Sequence, residues 1–166
     1  MKEGTIYIYS GDGHGKSPAA FGRAVSMACQ GKNVVIIQFL KGRGLGDSEL
    51  VKRLEPEIKL FRFEKSSEDF MSLSDEHKAE ECLNIRNGLN FAKKVMNTGG
   101  CSLLILDEVL GLIDNGVITV EELRTLLASR PEDMDIIMTG ITLNDEVCLL
   151  ADEVTKVETM RFKKWD

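Results

Sequence analysis

The chain has 166 residues, of which 43% are hydrophobic, and a chain of this size suits one domain that buries roughly 70% of its unfolded surface. The net charge of -6 argues against a nucleic-acid-binding groove, which normally shows as a basic face. No apolar run approaches the roughly 20 residues of a membrane span, and no signal peptide precedes the first strand. We therefore expect a single cytoplasmic domain over residues 1–166 that binds neither nucleic acid nor membrane.

Four cysteines are spread along the chain without a C-x-x-C pair, and there are only two histidines to complete a metal site. We expect the cysteines to be small buried hydrophobic residues of a protein in a reducing compartment. The alternative is a redox or zinc-binding role. The cysteines are Cys29, Cys82, Cys101 and Cys148.

A glycine-rich segment, residues 10–17, separates an alternating apolar run at 5–9 from a helical pattern that starts at Pro18. It ends in Gly-Lys-Ser, but its first glycines stand at positions 11 and 13, whereas the G-x-x-x-x-G-K-S/T pattern would place one at position 10. In such turns, backbone N–H groups cradle phosphates, the lysine reaches the outer phosphates and the hydroxyl meets Mg²⁺. We interpret it as a phosphate loop, with an ordinary glycine turn as the alternative. The expected nucleotide contacts are Gly11, Asp12, Gly13, His14, Gly15, Lys16, Ser17 and Pro18.

The elements after this loop continue a β-α-β unit. Residues 31–33 are typical of a helix end, and 34–39 form a continuous β-branched run, as in a parallel strand covered on both faces. Three glycines within 41–46 indicate a mobile loop at the edge where such sheets bind ligands. Residues 59–63 indicate the next short strand.

A long helical pattern begins at Ser74 and ends at Gly99, and a buried strand at 101–106 follows it. This strand finishes with Asp107 and Glu108. An apolar strand that delivers carboxylates at its carboxyl end suits a Walker-B-like element, because the acid must reach the Mg²⁺ at the neighbouring phosphate loop. The alternative is that both acids merely cap the following helix.

The last third of the chain keeps alternating between strand and helix. A capping box at Thr119 starts a helix that runs through Ala128, and strands are expected at 135–139 and 153–157 with a helix at 142–150 between them. The alternation predicts a doubly wound, mainly parallel α/β sheet, and the phosphate loop makes it a P-loop nucleotide-binding (RecA-like) fold.

Several segments occur in an order and spacing that are together specific, although no single one is decisive. They are residues 11–17, 19–22, 31–34, 38–42, 106–108, 130–131, 139–140 and 151–155. In these segments the chain resembles the P-loop ATP:corrinoid (cobalamin) adenosyltransferases over nearly its whole length. The resemblance implies transfer of the 5′-deoxyadenosyl group of ATP to a reduced corrinoid, with Co(I) as the nucleophile and triphosphate as the leaving group. ATP, Mg²⁺ and a corrinoid substrate are thereby implied, and a homodimer is compatible with the family.

The resemblance also implies roles for individual residues. Lys16, the loop amides and Ser17 with Mg²⁺ would stabilise the leaving triphosphate, and Asp107 or Glu108 would complete the metal shell. ATP would lie reversed in the loop, relative to its orientation in ATPases. Because the cobalt is itself the nucleophile, no activated side chain or general base is required, and the sequence supplies no convincing catalytic triad.

The chain departs from the family at four positions that commonly carry other residues. It has His14 in place of Lys, Pro18 in place of Thr, Ser26 in place of Arg and Ile141 in place of Arg. Charged hydrogen bonds contribute roughly 1.5 to 3 kcal/mol each, so losing two or three would weaken triphosphate binding by orders of magnitude. Arg23 is a candidate for partial compensation.

The region after the third strand offers Phe63 and Phe70 where the family places an aromatic pair that includes Trp. Phe70 could shield the lower face of the cobalt, or it could belong to the core. Three functions are therefore open at this point. They are an adenosyltransferase, a nucleotide- or corrinoid-binding relative that has lost the chemistry, and a generic P-loop phosphotransferase or ATPase.

Overall fold

The apolar runs of the sequence form parallel strands in the computed structural model, which describes residues 3–12, 14–40 and 49–163. The strands in these residues are β1 (Ile6–Ser10), β2 (Val34–Gln38), β3 (Ile58–Arg62), β4 (Leu103–Asp107), β5 (Asp135–Gly140) and β6 (Glu153–Lys156). They form one sheet in the order β3-β2-β4-β5-β1-β6, and every neighbouring pair is parallel. The glycine loop predicted at 41–46 lies outside the described residues.

Helices cover both faces of this sheet. They are α1 (Lys16–Ala28), α2 (Glu49–Lys52), α3 (Asp75–Thr98), α4 (Val109–Asp114), α5 (Val120–Leu127) and α6 (Asp145–Cys148), with a 3₁₀ turn at Phe70–Ser72. On one face, Ala20 and Ala24 of α1 share an apolar cluster with Ile105 of β4. Leu104 points to the opposite face and shares the larger cluster with Ile85 of α3 and residues of α4 and α5. The predicted doubly wound α/β sheet is therefore confirmed.

The helix ends follow the capping signals in the sequence. The hydroxyl oxygen of Ser74 accepts a hydrogen bond from the backbone N–H of His77, and Gly99 ends α3 with a left-handed φ of 61°. At α5, Thr119 and Glu122 form the predicted capping box in both directions. None of the described helices combines the length and the apolar character that crossing a membrane requires.

One local prediction is corrected. The helix expected over 142–150 is only the short α6, because the Asn144 side chain accepts the backbone N–H of Val147 and begins the helix there. The chain then turns, and the Asp152 backbone N–H donates to the Ile6 carbonyl oxygen at the start of the β1–β6 pair. The helix α4 directly follows β4, where the sequence analysis expected a helix without giving its bounds.

The prediction of four buried cysteines is wrong for three of them. Cys101 is buried, Cys82 and Cys148 are partly exposed, and Cys29 is exposed. The last of these lies at the C-cap of α1, past the helix face that packs on the sheet. All four are free thiols.

Polar residues stand at the carboxyl ends of four strands whose other residues are mostly apolar. Ser10, Gln38, Asp107 and Thr139 are all buried. Gln38 and Asp107 are register partners on β2 and β4. This edge of a parallel α/β sheet is where ligands usually bind, so the fold places the candidate site here.

Candidate nucleotide-binding site

The loop between β1 and α1 is held on two sides by the ends of other strands. The Gly11 backbone N–H donates to the Gly140 carbonyl oxygen at 3.2 Å, and the Val157 N–H donates to the Ser10 carbonyl oxygen at 2.7 Å. Gly11 has a φ of 131°, and a Cβ atom there would overlap the carbonyl oxygen of Val157. A residue other than glycine would therefore force the loop away from the segment that follows β6.

The amino end of α1 presents backbone donors without a side-chain cap. Gly15 is the N-cap residue, and Lys16 and Ser17 are the first two helical residues. Because the first N–H groups of a helix have no partner inside it, they form a ready anion site. Pro18 stands at the third position, where it breaks no helical hydrogen bond but removes one donor. His14 is exposed, and Gly13 lies outside the described residues.

Asp107 is the centre of a buried hydrogen-bond cluster and is only 2% exposed. Its Oδ1 accepts from the Ser17 hydroxyl at 2.9 Å and from the Thr139 hydroxyl at 2.7 Å. Its Oδ2 accepts from Gln38 Nε2 at 3.3 Å. The fold thus brings the hydroxyl of the phosphate loop and the carboxylate of β4 together, although 90 residues separate them in sequence.

Glu108 is held differently from Asp107. It has a left-handed φ of 62°, and its side chain makes no cap hydrogen bond to α4. Instead, Glu108 Oε1 lies 3.2 Å from Lys16 Nζ, and the two side chains are 12% and 13% exposed. The Glu108 backbone N–H donates to the Thr139 hydroxyl oxygen at 2.8 Å. The two acids therefore face the phosphate loop, which contradicts the alternative that they merely cap α4.

The donor set at Ser17 and Asp107 suits a hard divalent cation, since Mg²⁺ prefers carboxylate and hydroxyl oxygens and commonly takes further ligands from substrate phosphates and water. A buried amide oxygen beside them, Gln38 Oε1, finds no hydrogen-bond partner within the described part of the chain. Among the described residues, no three His, Cys, Asp or Glu side chains are grouped so that they could hold a metal ion. Water and phosphate oxygens could supply the further ligands of a cation at this place.

A comparison with protein families shows which family the chain belongs to. The model described as ATP:corrinoid adenosyltransferase BtuR/CobO/CobP matches residues 2–164. The chain belongs to this family. The resemblance noted in the sequence is thereby confirmed over nearly the whole chain.

Relatives within the family are distant but collinear. The chain is 27% identical over 161 residues to the corrinoid adenosyltransferase of Escherichia coli (strain K12), which covers 96% of this chain and 79% of that protein. The corrinoid adenosyltransferase CobA of Salmonella typhimurium (strain LT2) gives the same identity and the same coverage.

A comparison with solved structures shows the same fold in a more remote protein. A KaiC-like protein from Pyrococcus horikoshii OT3 matches 98% of this chain and 77% of its own length, with a TM-score of 0.62 and 16% sequence identity. At this identity the likeness shows the fold alone. The P-loop, RecA-like fold predicted for this family member is confirmed.

Two residues of the site were not singled out by sequence reasoning. Gln38 and Thr139 entered it only as parts of matched segments, yet both contact Asp107. The available signal was a polar residue near the end of an otherwise apolar strand, at the carboxyl edge of a parallel sheet. Strand order was also needed, because Gln38 and Thr139 reach Asp107 from the strands on either side of β4.

Of the four residues that differ from the usual family pattern, His14 and Pro18 lie in the phosphate loop and the first turn of α1. The guanidinium of Arg23, the candidate for compensation, lies 4.8 Å from the ring centroid of Tyr7, the second residue of β1. Ile141 and Ser26 are exposed. Phe70 is buried in the larger apolar cluster, as the core interpretation expected.

Proposed function

We propose that this protein transfers the 5′-deoxyadenosyl group of ATP to the Co(I) centre of a reduced corrinoid and releases triphosphate. The observation that carries the proposal is the family match over residues 2–164. The geometry at the sheet edge agrees with it, because this edge brings together backbone amides, a lysine and the oxygen atoms of Ser17 and Asp107, which could bind a leaving triphosphate and a cation. No observation favours a generic phosphotransferase or a relative without the chemistry.

In the proposed reaction, the electron pair of Co(I) attacks C5′ of the ribose and a Co–C bond forms. The C5′–O5′ bond breaks, and its electrons leave with the triphosphate. The cobalt goes from Co(I) to Co(III) as it becomes alkylated, and no proton is transferred. The protein therefore needs no side-chain nucleophile or general base, and its contribution is to position C5′ and to stabilise the leaving charge.

We assign the stabilisation of the triphosphate to the phosphate loop. The backbone donors at the start of α1 and the loop glycines would bind its oxygens, as would Lys16. In the structure, Lys16 is paired with Glu108 at 3.2 Å. The triphosphate would compete with this carboxylate for the ammonium group, so binding of ATP would release Glu108 for a second role near the cation.

We assign the cation site to Ser17 and Asp107, which are already in contact at 2.9 Å. A bound Mg²⁺ would neutralise part of the triphosphate charge. Thr139 would keep both acids in place, because its hydroxyl donates to Asp107 and accepts from the Glu108 backbone. Of the two acids, Asp107 is thus the proposed metal ligand, and Glu108 is the proposed partner of Lys16 before ATP binds.

The test is an anaerobic assay with ATP, Mg²⁺ and chemically reduced cobalamin or cobinamide. Loss of the Co(I) absorbance together with release of triphosphate is the expected result. Corrinoid or nucleotide binding without adenosylation would indicate a binding protein, and phosphate release without corrinoid would indicate an ordinary NTPase. Either of these two outcomes would overturn the proposal.

We propose three further assignments. They are the use of Mg²⁺, a cytoplasmic location and a homodimer. Light scattering of the purified protein tests the homodimer, and replacement of Mg²⁺ by excess chelator in the same assay tests the metal.

A further inference from the structure

Gln38 carries a buried acceptor that the rest of the site does not use. It is the last residue of β2 and is 3% exposed. Its Nε2 donates to Asp107 Oδ2 at 3.3 Å, whereas its Oε1 has no hydrogen-bond partner among the residues that the structure describes. Since buried polar atoms in folded proteins nearly always have a partner, this oxygen indicates a group that binds there.

The register of the sheet fixes where this oxygen lies. Gln38 and Asp107 are paired residues of β2 and β4, so their side chains share one face of the sheet. Ile36 and Ile105, two residues earlier on each strand, belong to the cluster that packs against α1. The Gln38 amide is therefore on the side of the sheet from which α1 delivers Ser17 to Asp107.

The chemistry of the free atom restricts its partner. An amide oxygen only accepts hydrogen bonds, so it cannot pair with a phosphate oxygen, which carries no proton when ionised. A water molecule bound to a cation turns its protons outward and acts as a donor. Outer-shell acceptors of this kind commonly orient metal ligands and tune metal affinity.

We infer that Gln38 is a positioning residue for a hydrated divalent cation: its Nε2 holds Asp107, and its Oε1 accepts a hydrogen bond from a water molecule of the cation held at Ser17 and Asp107. This inference rests on the proposed function, since it takes the cation and the triphosphate to bind at this edge. It adds that Gln38 sets the affinity for the cation and not the affinity for the phosphates.

The decisive variant is Gln38→Met, which keeps the length of the side chain and removes both polar atoms. The matched control is Gln30→Met, at an exposed position just past α1. Binding of Mn²⁺ is followed by electron paramagnetic resonance with the full chain and inorganic tripolyphosphate. We expect about 10- to 100-fold weaker Mn²⁺ binding for Gln38→Met, which is the usual effect of removing an outer-shell partner. Gln30→Met should bind Mn²⁺ as the wild type does.

Binding of tripolyphosphate without metal separates this role from a structural one. Metal-free affinity should be the same in Gln38→Met and the wild type. If Gln38→Met lost the same affinity for tripolyphosphate with Mn²⁺ as without it, Gln38 would only maintain the fold, and the inference would be overturned. If the variant lost affinity for ATP but not for tripolyphosphate, the partner of Oε1 would be a ribose hydroxyl, and this too would overturn the inference.

A second variant keeps the inference testable if Gln38→Met folds poorly. Gln38→Glu retains an acceptor toward the cation but places a second carboxylate beside Asp107. We expect a lower melting temperature than wild type without metal and recovery when Mn²⁺ and tripolyphosphate are added. Absence of any metal-dependent recovery would contradict the inference. If the wild type itself bound no tripolyphosphate, the site assignment of the proposed function would fail instead, so the two failures are distinguishable.

Discussion

Lys16 is the residue whose partner is expected to change on binding. Its ammonium group lies 3.2 Å from Glu108 Oε1, and the triphosphate is proposed to take its place. A charged hydrogen bond contributes about 1.5 to 3 kcal/mol, so Lys16→Ala should weaken ATP binding at least about tenfold. Calorimetric titration with ATP and Mg²⁺ measures this. Lys32→Ala, at an exposed position after α1, is the control. Unchanged ATP affinity in Lys16→Ala would contradict the phosphate-loop assignment.

Cys101 gives the protein a defined response to alkaline pH. Burial raises the pKa of its thiol from 9.0 to about 11, and backbone hydrogen bonds at Val35 and Leu103 offset part of this effect. Because the folded pKa is the higher one, the unfolded chain loses the proton first. The protonated Cys101 thiol therefore contributes its full stabilisation of the folded state below pH 9, and this stabilisation is lost as the pH rises toward 11. A shift of this size corresponds to about 3 kcal/mol in the free energy of unfolding.

The measurement is urea unfolding between pH 8 and 11 for the wild type and Cys101→Ala. The variant should show the shallower decline of stability with pH, because it lacks the buried thiol. Cys29→Ala removes an exposed thiol and should follow the wild type. Parallel pH curves for all three proteins would contradict the prediction.

At the scale of elements, the phosphate loop depends on its contact with the chain after β6. Gly11→Ala would put a side chain at a φ of 131° and against the Val157 carbonyl oxygen. Backbone strain of this kind costs about 1 to 3 kcal/mol, and the overlap adds to it, so we expect a loss of at least about 2 kcal/mol. Gly22→Ala is the matched change inside α1, where no described atom beyond the neighbouring backbone of the helix lies within 4 Å of the new Cβ. It should stabilise the helix by up to about 1 kcal/mol.

Urea unfolding of the two variants checks this pair. Equal stability of Gly11→Ala and Gly22→Ala would show that the loop does not rely on close contact with β6. The same comparison bears on the site, because Gly11 also donates its backbone N–H to Gly140, directly after Thr139. A displaced loop should therefore weaken ATP binding as well as stability.

The helices and strands also show which features of the fold could be predicted from the sequence. Local signals were sufficient for the caps at Ser74 and Thr119 and for the apolar strands, since these depend on residues close together in the chain. The early end of α6 was not predicted, because it depends on the pairing of β6 with β1, and these two strands lie at opposite ends of the sequence. The site was predicted in part. Ser17 and Asp107 were expected near each other, but the bond from Gln38 and the Lys16–Glu108 pair follow from strand order, which the sequence pattern did not specify.

At the scale of the molecule, we propose that the chain forms one domain whose unfolding is coupled to the nucleotide site. The site residues come from β1, α1, β2, β4 and β5, which span the middle of the sheet. Ligand binding there should stabilise every strand together and not one local segment. A single calorimetric transition is therefore expected, both without and with ligand.

The size of the ligand effect follows from mass action. Mg²⁺ with tripolyphosphate at 100 times its dissociation constant adds about 2.7 kcal/mol to the free energy of unfolding. For a domain of this size each kcal/mol raises Tm by about 2 to 4 °C, so the transition should move up by about 5 to 10 °C. Tripolyphosphate with excess chelator should give a smaller increase in Tm, because no cation would then link it to Ser17 and Asp107. Two transitions, of which only one moved with ligand, would show that the site and the rest of the sheet unfold separately. Equal increases in Tm with metal and with chelator would contradict the assignment of a cation to the proposed site.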